Sequence, residues 1–123
     1  MNYKELYLKT DFGTTFSIYQ NNGSTTLVIF LHGAGDSHLN YLQFIDHPLL
    51  ASYDILVPDI IGYGKSQRAK SYFSFSQQTE ALEKIIPSLY KSYQNIILVP
   101  HSMGGIYAVL LAQGALRNCP KIM

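Results

Sequence analysis

The sequence predicts an α/β fold: a mostly parallel β-sheet with an N-terminal antiparallel hairpin and helices on both faces. Leu27–Leu31, Ile55–Val57 and Ile96–Val99 are short, continuous apolar runs without alternation, the pattern of strands covered on both sides. The stretches between and after them carry apolar residues at roughly helical spacing. Strand–helix alternation implies parallel strands joined by right-handed crossovers, with chemistry gathered at the strands' carboxyl ends.

Each element has its own signal. Glu5–Lys9 and Thr14–Tyr19 are rich in β-formers and flank the turn-type cluster Asp11-Phe12-Gly13, which predicts the hairpin. Asn21-Asn22-Gly23-Ser24 supplies the next turn, leading into Leu27–Leu31. Leu39, Leu42, Phe44, Ile45, Leu49 and Leu50 predict a helix capped by Ser37 and bent or divided at Pro48; His38 and His47 would lie on it. Ser74 and Gln77 form a capping box ahead of a helix through Leu82, Ile85, Ile86, Leu89 and Tyr90, kinked at Pro87. Met103–Leu116 reads as the last helix, its glycines and alanines allowing close packing. Three loops then share one end of the sheet: His32–Asp36, Asp59–Ser66 and Pro100–Gly105.

Composition narrows the function. With 123 residues there is room for one domain, and 47% apolar against 14% charged residues excludes a chain kept unfolded by charge. A net charge of +1 gives no electrostatic reason to bind nucleic acid. The single cysteine, Cys119, has no internal disulfide partner and reads as an ordinary reduced residue; no Cys/His spacing resembles a metal site, so neither metal nor cofactor is expected. No apolar run approaches the roughly 20 residues of a membrane span. Met1–Glu5 meets an acid before any apolar run, unlike a signal peptide, so the expected location is cytoplasmic.

Val99-Pro100-His101-Ser102-Met103-Gly104-Gly105 joins a buried strand to a helix with almost no loop between them, placing Ser102 on the corner. A serine there projects its hydroxyl away from both elements, among the unpaired N–H groups of a helix N-terminus. Gly104 leaves room where strand and helix backbones pass closely. On these residues alone, a nucleophile and a plain helix-capping serine are equally good readings. This segment resembles the nucleophile elbow, G-x-S-x-G, of the α/β-hydrolase family; Pro100 departs from the pattern by filling the first glycine position, where it would remove one sheet hydrogen bond.

Two further segments strengthen the resemblance. Phe30-Leu31-His32-Gly33-Ala34-Gly35 follows a buried strand as the family's His-Gly loop does, which implies that the Ala34 N–H is one oxyanion donor and the Met103 N–H the other. His32 itself reads as a structural group bonded to backbone, with Gly33 and Gly35 shaping the turn. Asp59-Ile60-Ile61-Gly62-Tyr63-Gly64-Lys65-Ser66 is similar to the family's D-x-x-G-x-G-x-S loop, in which Asp59 would accept backbone N–H bonds and Gly62 and Gly64 take positive φ. It lacks the third glycine of a dinucleotide fingerprint and the Walker arrangement, so nucleotide binding is not expected. Lys65, Arg68 and Lys70 read as a solvated loop; Tyr63, Tyr72, Phe73 and Phe75 read as cover for the sheet.

The resemblance implies a hydrolase of ester-like or other acyl substrates, with Ser102 as nucleophile and no cofactor. It corresponds to the N-terminal part of a single such domain, residues 1–123, with the C-terminal half absent. The family's triad runs Ser, Asp or Glu, then His, yet no Asp, Glu or His follows Ser102. His38, His47 and His101 are poor bases: two lie on a helix and the third is the neighbour of Ser102, where adjacent side chains diverge. Two readings follow, a hydrolase whose base and acid come from other polypeptide, and a catalytically inactive remnant or binding module. In either, the strand ending at Val99 is expected to be an open edge, inviting self-association or a complementing chain.

Overall fold

The computed structural model describes residues 2–68, 73–86, 92–114 and 116–117. Lys70, Tyr72, Pro87, Leu89, Tyr90 and Cys119 therefore lie outside the described residues, together with what the sequence predicts for them.

Five strands form one sheet in the order β1-β2-β4-β3-β5. They are β1 (Lys4–Thr10), β2 (Gly13–Gln20), β3 (Thr26–Leu31), β4 (Asp54–Asp59) and β5 (Asn95–Pro100). β1 pairs antiparallel with β2, and β2 antiparallel with β4, while β3 pairs parallel with both β4 and β5. Four strands thus share one direction and only β2 opposes them, so the sheet is mixed in pairing yet mostly parallel in sense.

Alternation along the strands divides the core in two. Leu27, Ile29 and Leu31 of β3, with Leu56 and Ile96, face one side, where they meet Leu82 and Ile85 of helix α1 (Phe75–Ile85) and Tyr107 and Leu111 of helix α2 (Gly104–Gln113). Val28 and Phe30, with Phe16, Ile18, Ile55 and Val57, face the other side. There the cover is two short 3-10 turns, His38–Phe44 and Pro48–Leu50, which contribute Tyr41, Phe44 and Leu50.

The single helix predicted across Leu39–Leu50 is therefore two turns, and His38 and His47 are not on one helix face. The chain turns at Ile45–His47, where Asp46 has φ +63 and Pro48 opens the second turn. Ser37 does cap the first turn, accepting from the Leu39 N–H at 3.2 Å. The capping box of α1 forms as expected: Ser74 Oγ accepts from the Gln77 N–H (3.1 Å) and Gln77 Oε1 from the Ser74 N–H (2.9 Å).

The amino ends of the parallel strands are closed by a polar cluster that the sequence did not announce. Asp54, 2% exposed, accepts from the N–H groups of Asn22 (2.6 Å) and Ser24 (3.1 Å) on Oδ1. On Oδ2 it accepts from the hydroxyls of Tyr93 (2.5 Å) and Tyr19 (3.4 Å), which also touch each other. Desolvation, then the hydrogen bond to Asp54, push Tyr93 above the usual tyrosine range. Folded Tyr93 thus keeps its proton after the unfolded chain has lost it at about pH 10, so its contribution is full below that pH and declines above it. Tyr93→Phe is expected to lower unfolding free energy by about 1–3 kcal/mol at neutral pH, by depriving Asp54 of a donor. It should also make the loss of stability above about pH 10 shallower than in the wild type. Urea titrations on either side of that pH measure both effects.

Candidate functional site

The carboxyl ends of β3, β4 and β5 bring the three glycine-bearing loops together. At the end of β5 the backbone turns through Ser102, whose φ is +52; Asp46 is the other non-glycine with positive φ among the described residues. Aspartate tolerates that region because its side chain bonds locally, whereas a serine there must be held by its surroundings. Ser102 is exposed. Three hydrogen bonds fix the corner: His101 N–H to Leu31 O (3.0 Å), Gly104 N–H to His101 O (2.9 Å) and Gly105 N–H to Ser102 O (2.9 Å).

The corner is tight because α2 starts directly beneath the end of β3. A Cβ on Gly104 would lie 2.1 Å from the Leu31 carbonyl oxygen, so no side chain fits there. The predicted close approach is real, and the strand it involves is the neighbouring β3. Helix α2 spans Gly104–Gln113, with Met103 as its N-cap position and no side-chain cap.

Gly33 carries the second loop against this corner. A Cβ on Gly33 would sit 3.2 Å from Ser102 Cβ and 3.2 Å from both His101 Nδ1 and His101 O. Ala34 follows at the exposed tip of a turn closed by the Asp36 N–H to Gly33 O bond (3.1 Å), with Gly35 at φ +80. Among the described residues, neither the Ala34 nor the Met103 N–H has an acceptor.

His32 and Asp59 hold the loops rather than face solvent. His32 is fully buried; its Nδ1 donates to Gly33 O (2.8 Å) and its Nε2 accepts from the Ile60 N–H (3.1 Å). That pair of bonds selects the neutral tautomer protonated on Nδ1. Asp59, also fully buried, accepts from the Lys65 N–H (2.8 Å), as the loop pattern predicts. Gly64 has φ +54, and a Cβ there would come within 2.1 Å of Asp59 Oδ2, while Gly62 also has positive φ. Ser66 completes the loop, donating to Asp59 O (2.6 Å) and accepting from the Phe16 N–H of β2 (2.9 Å).

Two residues, His38 and Asp36, have roles here that their place in the sequence does not suggest. Asp59 also accepts from the His38 N–H (2.6 Å) and from His38 Nδ1 (2.7 Å), with His38 itself buried. His38 was legible only as a helix position, because its partner lies 21 residues away. Asp36 Oδ2 stands 3.5 Å from His101 Nδ1, an exposed contact joining the two loops at the surface. Lys65 and Arg68 are exposed as expected, Lys65 lying 3.6 Å from Glu5 and above the Phe16 ring. Tyr63 packs edge-on to His32, Phe73 to Phe12 and Phe75 to Tyr107.

Comparison with known proteins bears on this arrangement. A family model described as the alpha/beta hydrolase fold matches residues 26–122. The chain belongs to that family. It is 26% identical over 84 residues to phospholipase YtpA of Bacillus subtilis, covering 68% of this chain and 32% of that protein. It is 33% identical over 89 residues to the probable lysophospholipase BODYGUARD 4 of Arabidopsis thaliana, covering 69% of this chain and 21% of that one. Among solved structures, a thioesterase domain from the curacin biosynthetic pathway superposes with a TM-score of 0.79 at 25% identity, covering 98% of this chain and 42% of that domain. The chain thus spans a third or less of these two curated relatives. Among the described residues, no group of His, Cys, Asp and Glu could hold a metal ion, and no helix is long and apolar enough to cross a membrane.

The hydrogen bonds of His32 make a testable statement about the loop. His32→Ala leaves the buried Ile60 N–H without an acceptor, so unfolding free energy should fall by about 1–3 kcal/mol beyond any loss of packing. Urea denaturation measures it, and His32→Asn, which keeps a polar side chain, should be less damaging than alanine.

Proposed function

We propose that this hydrolase-family chain carries the nucleophile and oxyanion donors of an enzyme acting on ester-like or other acyl substrates. The observation that carries the reading is the left-handed backbone of Ser102 at the β5–α2 corner, with Gly33 packed against its Cβ. In this reading the Ser102 hydroxyl attacks the substrate carbonyl as its proton passes to a general base. The negative charge on the resulting tetrahedral oxygen is taken up by the unpartnered N–H groups of Ala34 and Met103. The carbon–oxygen bond to the alcohol then breaks, the alcohol leaves with a proton, and water attacks the acyl-serine to release the acid and restore the hydroxyl.

His32, Gly33, Gly35, Asp59, Gly62, Gly64 and Gly104 support this machinery without touching the substrate. They shape the loops so that exposed Ala34 stays beside the elbow. The names of the relatives, a phospholipase, a probable lysophospholipase and a thioesterase domain, agree with an acyl substrate.

The sequence beyond Ser102 contains no Asp, Glu or His, so the base and its acid come from polypeptide outside these 123 residues. A serine hydroxyl is scarcely ionised at neutral pH without one. The same observation favours the second reading, a chain with the elbow's shape and no catalysis. A fluorophosphonate probe separates the two. Stoichiometric modification at Ser102 in the complete gene product, where the base and acid are supplied, abolished by Ser102→Ala with unchanged circular dichroism, is the expected result. A folded chain that resists labelling, alone and within its complete gene product, would leave the non-catalytic reading standing. Ala34→Pro, which deletes one donor, should slow labelling by roughly 10²–10³-fold.

A further inference from the structure

We propose that the open edge of β1 is a self-complementary surface that pairs with β1 of a second copy of this chain, antiparallel about a twofold axis at Tyr7, so that two five-stranded sheets become one. This inference goes beyond the proposed function and does not depend on Ser102.

The direction of the backbone groups comes first. β1 ends the strand order and, among the described residues, pairs only with β2. Thr14 and Phe16 of β2 turn their backbone away from β1. The Thr14 N–H donates to Gln67 Oε1 (2.9 Å), Thr14 O accepts from the Gln67 N–H (2.8 Å), and the Phe16 N–H donates to Ser66 Oγ (2.9 Å). Residues directly opposite in an antiparallel pair either bond each other or both face away. Lys9 and Tyr7 stand opposite Thr14 and Phe16, so they turn N–H and C=O to the open side, and Glu5 joins them by alternation. Within β1, an added strand can bond at these three residues.

Side chains then select the register. Glu5, Tyr7 and Lys9 share one face, where the Tyr7 ring meets Phe16 at 5.1 Å; Leu6 and Leu8 share the other, with Leu6 packed against the core. Two antiparallel copies can align only where outward-facing residues meet outward-facing residues. Centring the pair on Glu5 or on Lys9 sets like charges opposite each other, and centring it between Tyr7 and Lys9 sets Glu5 against Asp11. Centring it between Glu5 and Tyr7 leaves both charges facing tyrosines. Centring it on Tyr7 sets Glu5 against Lys9 of the second copy twice over, Tyr7 against its counterpart, Leu6 against Leu8 and Lys4 against neutral Thr10. Opposite charges and aromatic pairs across strands are favourable, whereas like charges are not, so this register is preferred.

The charge pattern also says which occupant fits. Lysines on an edge ordinarily block pairing, and Lys4 and Lys9 would do so here. Glu5 converts that pattern into a complementary one, because it and Lys9 lie at mirror positions about Tyr7. A strand of one charge sign would satisfy half of this edge and oppose the other half; a second β1 satisfies both. Tyr7 and Leu8 are 60% and 37% exposed, and the pairing covers one on each face. The ion pair of Glu5 with Lys65 (3.6 Å) is itself exposed and leaves the carboxylate free to face a second lysine. Because the copies run antiparallel, their Ser102 corners open at opposite ends of the joined strands, so neither site is covered by the contact.

Sedimentation velocity of the complete gene product from about 1 to 300 μM tests this, a range suited to the small interface that one strand pair makes. The expected species is a dimer whose fraction rises with concentration. Glu5→Lys and Lys9→Glu, each with unchanged circular dichroism, should raise its dissociation constant about tenfold or more, since either one sets like charges opposite each other twice. The two together restore opposite charges and should return the constant to within about threefold of wild type. Tyr7→Cys should form a disulfide between copies under mild oxidation, because bonded partners in an antiparallel pair have Cα atoms about 5.5 Å apart. Glu5→Cys should not, as its two copies would stand about 13 Å apart along the strands. A monomer throughout the range would overturn the proposal. So would a dimer indifferent to the single substitutions, one that the double substitution fails to rescue, or cross-linking as efficient at position 5 as at position 7. No readout involves labelling of Ser102, so failure here and failure of the catalytic reading are distinguishable.

Discussion

The contact on which the site depends is between backbone and backbone: the N-terminus of α2 lies so close under the Leu31 carbonyl that a Cβ on Gly104 would be 2.1 Å from its oxygen. Such an approach leaves no length for a gradual strand-to-helix connection. The chain must reverse within Pro100–Met103, and the reversal falls on Ser102 as a left-handed residue. A non-glycine residue held there is strained by about 1–2 kcal/mol. The strain persists because the His101, Gly104 and Gly105 N–H groups all have acceptors at 3.0 Å or less, so relaxing φ at Ser102 would break more than it gains. The exposed hydroxyl is a consequence of a packing requirement two residues later.

The loop facing this corner is held from below by two buried imidazoles. His32 joins its first residue to the start of the β4 loop through Ile60, and His38 joins its far end to Asp59, one residue earlier. Both ends of the 32–38 segment are thereby tied to a single peptide junction, Asp59–Ile60. Only the tip, Ala34 and Gly35, stays exposed. Buried polar groups of this kind stabilise only when each is satisfied, since an unpaired one costs about 1–3 kcal/mol. Asp59 meets that condition with its backbone and side-chain donors, and it needs Gly64 to do so, because any larger residue would occupy the space of its carboxylate.

What the sequence revealed follows from how local each signal is. Apolar runs become β3, β4 and β5 because burial on both faces removes alternation, and the Ser74–Gln77 box starts α1 because both its bonds lie within one turn. The three glycine-bearing loops were legible because each glycine answers a steric demand of its own neighbourhood. The segment after Ser37 was not, since its apolar spacing is compatible with a helix while Asp46 and Pro48 divide it into two 3-10 turns. His38 with Asp59, and Tyr93 with Asp54, are pairings across 21 and 39 residues, which no window along the chain contains.

The two ends of the parallel strands divide their labour. At the amino ends Asp54 is satisfied by four donors, two tyrosines among them. At the carboxyl ends His32, His38, Asp59 and Ser66 are also satisfied, although buried Gln78 Oε1, whose Nε2 bonds Ile61 O, has no partner among the described residues. The surface above keeps two N–H groups without acceptors among the described residues and one non-glycine residue in left-handed backbone. An unsatisfied donor at a solvated loop tip is nearly free, whereas the same donor buried would destabilise the fold. Exposure is thus what lets this end carry unspent hydrogen-bonding capacity, and a substrate oxygen bound there would meet donors that need not first be released from other partners. In the proposed reading, that preorganisation rests on the Gly104 contact and the two histidines rather than on residues that would touch the substrate.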